Sequence, residues 1–138
     1  MIEAKQIEFA AYAAWRNRVL AAAAGGFALS FSGLQVEVVR ATPGLTSTWP
    51  PLMWALALGV FSAAVEMADN RLVAHRDGVP HTKWWARDEH FFRVHRWLHR
   101  FQVASVLAMT VAVIVSFFIL TAFGRDVVRA ALEAVPTP

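Results

Sequence analysis

Apolar residues in this chain gather into three long runs, at about residues 19–39, 52–68 and 101–123, and charged or polar residues return between them. A hydrocarbon core of about 30 Å takes roughly 20 apolar helical residues, so each run is read as a membrane-spanning helix. Gln35 and Glu37 shorten the fully apolar part of the first run and place its end at the headgroups. The runs are rich in Ala and Leu and lack the alternation that a barrel strand needs. The expected fold class is therefore all-α, an integral-membrane three-helix bundle forming a single transmembrane domain over residues 1–138.

Shorter patterns fill the intervals. Ile7, Ala11, Ala14 and Trp15 recur at helical spacing, with Glu3, Lys5, Glu8 and Arg16 largely elsewhere, so residues 3–18 are expected to form a short amphipathic helix at or leading into the membrane. Residues 84–100 read as a basic amphipathic helix at the interface, feeding into the third span. Pro43-Gly44 marks a turn, and Pro50-Pro51 opens the second span, where a missing N–H costs little. Asp77-Gly78-Val79-Pro80 is expected to break the helix that continues inward from the second span. The segment Met1 to Gln6 has no net positive charge, so the first span is expected to persist rather than be cleaved as a signal peptide.

Composition sharpens this picture. Of 138 residues, 57% are hydrophobic and only 17% charged, with a mean hydropathy of +0.44. A soluble domain carries about 25% charged residues, so there is too little polar surface here to cover a water-exposed globule. The absence of cysteine excludes disulfides, thiol nucleophiles, iron–sulfur ligation and cysteine-ligated zinc. A net charge of +3 does not call for nucleic acid, because Arg71, Arg76, Lys83, Arg87, Arg93, Arg96 and Arg100 concentrate in one stretch. That stretch, residues 71–100, is expected in the cytoplasm of a bacterial cell with an inner-membrane location. The N-terminus then lies inside and the C-terminus outside. Trp15, Trp84, Trp85 and Trp97 flank the inner interface and Trp49 and Trp54 the outer one, the positions at which indoles anchor.

Small residues at spacing four predict close helix contact: Ala22, Gly26 and Ser30; Ala55, Gly59 and Ala63; and Ala104, Ala108, Ala112 and Ser116. These rows serve packing within one bundle or, alternatively, self-association. Glu37, Glu66 and Asp69 lie in or beside spans, where they form interfacial ion pairs or caps, or hold an ion or proton.

All five histidines fall within residues 71–100. At about 100° per residue, Asp88, His95, His99 and Gln102 share a narrow stripe, and His95 and His99 have the spacing at which two imidazoles can share a metal. Asp88, His95 and His99 are thus the candidate metal ligands. The alternative places the rings at the headgroups with the interfacial residues Trp84, Trp85, Arg93, Arg96, Trp97 and Arg100, where they face anionic lipid. No cofactor is expected, and no nucleophile elbow, phosphate loop or dinucleotide fingerprint occurs. Arg76-Asp77-Gly78-Val79-Pro80-His81 resembles the Arg-to-His signature of HEPN ribonucleases, but Gly78 and Pro80 break a helix between its ends.

The order of amphipathic start, Ala24-Gly25-Gly26-Phe27-Ala28-Leu29-Ser30, Pro-interrupted outer loop, basic inner loop and final apolar span resembles small bacterial three-span membrane proteins. Through its basic aromatic helix leading into a span, the chain is also loosely similar to two-span SLATT effectors, from which it departs by an extra N-terminal span. That resemblance implies a pore-forming or membrane-perturbing effector. The expected function is accordingly that of a small, non-catalytic oligomeric membrane protein with effector activity, the alternative being an accessory subunit of a larger inner-membrane complex. Its expected partners are the bilayer, anionic headgroups, and further copies or other membrane subunits.

Overall fold

The computed structural model describes residues 2–76 and 88–134, with side chains at Glu8, 10–74 and 90–134. Among the described residues the architecture is all-helical: α1 (Ile2–Gly33), α2 (Glu37–Ala41), a 3-10 turn (Leu45–Thr48), α3 (Trp49–Arg76) and α4 (Asp88–Glu133). The break expected at Asp77 to Pro80, and Trp84 and Trp85, lie outside the described residues.

Two segments, Leu45–Ala74 and His90–Glu133, are long and apolar enough to cross a membrane. The first expected span differs from its outline. Helix α1 runs without interruption from Ile2 and stops at Gly33, short of Val39. Successive i to i+3 bonds then turn the chain, from Leu34 N to Phe31 O (3.2 Å), Gln35 N to Ser32 O (3.0 Å) and Val36 N to Gly33 O (3.0 Å). Five-residue α2 follows, with Glu37 in its first turn, where a carboxylate meets the positive end of the helix dipole. The apolar part of α1 after Arg18 is therefore only about 22 Å long at 1.5 Å per residue. Crossing a core of about 30 Å would draw on the turn containing Arg16 and Arg18.

Helices α3 and α4 make the most extensive contact, and α1 packs against both. The core joins Val19 and Ala23 of α1, Leu52 and Ala55 of α3, and Met109 of α4, with Leu20, Phe27 and Val113 around it. At Gly59, a Cβ would lie 2.8 Å from Leu20 Cγ, so any larger residue here forces the Leu20 side chain to shift. At the end of the bundle where α1 leads into α3, Gly44 adopts φ 114°, and Leu45 and Thr48 are buried beneath the turn it starts. Trp49 Nε1 donates to Ser30 Oγ (3.1 Å), its ring lies 5.5 Å from Phe27, and Ser116 Oγ donates to Thr48 O (3.4 Å). These contacts tie α1, the turn, α3 and α4 together above the apolar core.

Helix α4 spans 46 residues, about 69 Å at helical rise, and unites the expected interfacial helix with the third span. No described residue between Phe92 and Phe101 disrupts its backbone, because Arg, Trp, Leu and His continue a helix without a breaker.

Candidate functional site: a buried polar cluster and an arginine face

Below the apolar core, polar side chains from three helices converge. In α3, Ser62, Glu66 and Asp69 recur at spacings of four and three, which places them on one face. In α4, His95, His99 and Gln102 do the same. The two helices run antiparallel, so the Asp69–His95 contact fixes the register: Ser62 lies seven residues before Asp69 and Gln102 seven after His95, at the same level. Helix α1 brings Tyr12 and Arg16 against this layer.

Asp69 Oδ1 lies 2.7 Å from His95 Nδ1, and Asp69 is 8% exposed. The His95 ring stacks on Phe91 at 5.9 Å and 5°. Arg16 donates through Nη1 to Glu66 Oε2, its side chain buried and that of Glu66 about one-third exposed (31%). His99 meets the Tyr12 ring edge-on at 6.1 Å. Trp15 Nε1 donates to Thr110 Oγ1 at 3.0 Å. Inside the layer, Ser62 Oγ, Gln102 Nε2 and Arg16 Nε are buried and have no hydrogen-bond partner among the described residues. Such atoms take up water or a polar ligand group where there is room, since burial without a partner costs about 1–3 kcal/mol each.

Two of the three candidate metal ligands have described side chains. His95 is engaged by Asp69, His99 lies against Tyr12, and the Asp88 side chain is outside the described ones. Among the described residues no three His, Asp or Glu side chains gather closely enough to hold a metal. The interhelical partners Arg16–Glu66 and Asp69–His95 were not legible from spacing along one helix. The available signal was an arginine just before the first apolar run and two carboxylates at the end of the second.

The small-residue rows separate by neighbour. Ala55 and Gly59 are buried, Ala63 half-buried, Gly26 packs near Leu52, and Ser30 is buried, whereas Ala22 is exposed. In α4, Ser116 is buried and Ala112 half-buried, but Ala108 and Ala104 are exposed. A row at spacing four drifts about 40° per step, so it winds off a contact within a few turns.

A second polar feature lies on the outside of α4. Arg93, Arg96 and Arg100, with Phe92 and Trp97, line a groove of about 470 Å³. The Arg100 guanidinium sits 5.5 Å from the Trp97 ring centre, and Trp97 contacts Phe101 at 6.0 Å. All five groove residues are exposed. Comparison of the chain with protein-family models, curated proteins and solved structures returns no match.

Proposed function

We propose that the chain is a multi-pass protein of a bacterial inner membrane, a non-catalytic three-span unit that serves as an accessory subunit within a larger membrane assembly. The observation that carries this reading is the direction in which its polar groups point. Arg16, Ser62, Asp69, Gln102 and Ser105 are all buried between helices. The outward faces carry Met53, Trp54, Val60 and Phe61 on α3 and Leu107, Val111, Phe117 and Phe118 on α4, all exposed. Lipid matches such a surface, whereas water does not. The arginine concentration supports a cytoplasmic loop over 71–100, an inner N-terminus and an outer C-terminus.

The effector reading implied by the SLATT resemblance needs polar groups that several copies could turn toward a shared lumen. It is favoured by one observation, the exposed Ala104 and Ala108, which would admit a neighbouring backbone. The apolar outward faces of the spans speak for the subunit reading instead. Reconstitution of the purified chain into dye-loaded vesicles tests the choice. The subunit reading predicts retention of the dye over all protein-to-lipid ratios; release that grows with protein density contradicts it and supports the effector.

A further inference from the structure

We infer that the arginine face of α4 is a binding site for a single anionic phospholipid, whose phosphate is held by Arg93, Arg96 and Arg100 and whose acyl chain lies along the apolar stripe that continues the same face. This rests on the membrane reading and makes one part of it specific.

Three observations meet at this place. Arg93, Arg96 and Arg100 fall within about 60° of one another around the helix and span about 10 Å along it. Among the described residues none of the three forms an ion pair with a carboxylate. Guanidinium groups bind phosphate oxygens through paired N–H donors, so adjacent arginines one turn apart can grip one phosphate. Trp97, exposed beside them and in contact with Arg100, is suited to the ester level between headgroup and chain.

Immediately above Arg100, the same face turns apolar. Ala104, Leu107, Val111, Ile114 and Phe118 follow at helical spacing, and each is exposed. Ala104, the smallest of them, follows Arg100 by one helical turn. Charge and apolar surface are thus joined end to end in the order phosphate, ester, chain. A soluble phosphate compound would use the arginines and leave the stripe uncovered; a zwitterionic lipid would set its own cation against three arginines. An anionic glycerophospholipid satisfies both parts.

Native mass spectrometry of the full chain in a neutral detergent, titrated with phosphatidylglycerol, phosphatidylcholine or inorganic phosphate, tests the site. One phosphatidylglycerol per chain is expected to survive activation, with phosphatidylcholine lost. The double variant Arg93→Gln/Arg96→Gln should weaken retention by roughly 30-fold, the effect of two basic groups at an anionic surface. Arg125→Gln/Arg129→Gln, at the other end of α4, should leave it unchanged. Unaltered helical circular dichroism confirms that these exposed substitutions leave the fold intact. Equal retention of the two lipids, no loss in the double variant, or displacement of the lipid by equimolar inorganic phosphate would each overturn the site. Sedimentation with vesicles after an alkaline wash separates the two levels. A chain that leaves the pellet defeats the membrane reading itself, and one that stays without retaining phosphatidylglycerol defeats only the lipid site.

Discussion

Arg16 and Glu66 set a problem that their own helices do not solve, since each is a charge at the margin of an apolar run and, among the described residues, each is the other's ion-pair partner. Removing one partner leaves the second charge partly desolvated without compensation, while removing both with apolar groups of similar size can be neutral or favourable. Arg16→Gln is expected to lower stability by about 1–3 kcal/mol, below the range for a fully buried pair because the Glu66 side chain is 31% exposed. The pair Arg16→Met/Glu66→Leu should recover most of that loss. Thermal unfolding of the two variants in detergent checks this, and equal losses in the single and double variants would mean that packing, not charge, matters at these positions. Gly59 gives a second case. Because a Cβ there would meet Leu20, Gly59→Val is expected to cost about 1–3 kcal/mol through overpacking, and Leu20→Ala in the same background should relieve it. If Gly59→Val unfolds at the wild-type temperature, α1 and α3 do not approach as closely as described.

Helices α4 and α1 show what pattern reading reaches and where it stops. The apolar run over 101–123 and the basic aromatic stretch before it were both legible from hydropathy and charge, and so was the all-helical class, because long Ala- and Leu-rich runs without alternation leave little else. That the second feeds into the first was legible too, because no breaker stands between Asp88 and Phe101, and the structure joins them in one helix of 46 residues. The end of α1 was misplaced because Gly33 and the turn at Leu34 to Val36 interrupt a run whose hydropathy continues through Val38 and Val39. Polar pairs between helices were the least legible part, as Asp69 and His95 lie 26 residues apart and spacing along one helix carries no information about a partner on another. The winding of the α4 small-residue row yields a prediction. Ala112→Leu, which adds bulk beside the core, should lower the unfolding temperature, whereas Ala108→Leu should leave it unchanged and alter only association between copies or subunits. Circular dichroism melting combined with native mass spectrometry separates the two effects, and equal destabilisation by both would place Ala108 inside the bundle.

Three long helices joined by an apolar core, a charged layer beneath it and a 3-10 turn above it make a unit whose outward surface suits lipid better than water. Two of the helices meet the length and hydropathy of a crossing by themselves. The proposed three-span architecture requires α1 to cross as well, although its apolar part is short, because only a third crossing puts the N-terminus and the arginine-rich residues 71–100 on one side. The neutralised Arg16 gives a physical route, as an arginine paired with Glu66 can sit at the edge of the hydrocarbon at much lower cost than an isolated one. The chain contains no cysteine, so single cysteines report position without interference. The most direct test labels Glu8→Cys, Thr46→Cys and Asn70→Cys in intact spheroplasts with a membrane-impermeant maleimide. In the three-span architecture Thr46→Cys is labelled at once, and Glu8→Cys and Asn70→Cys only after permeabilisation; immediate labelling of Glu8→Cys together with Thr46→Cys would show that α1 does not cross and would contradict that architecture.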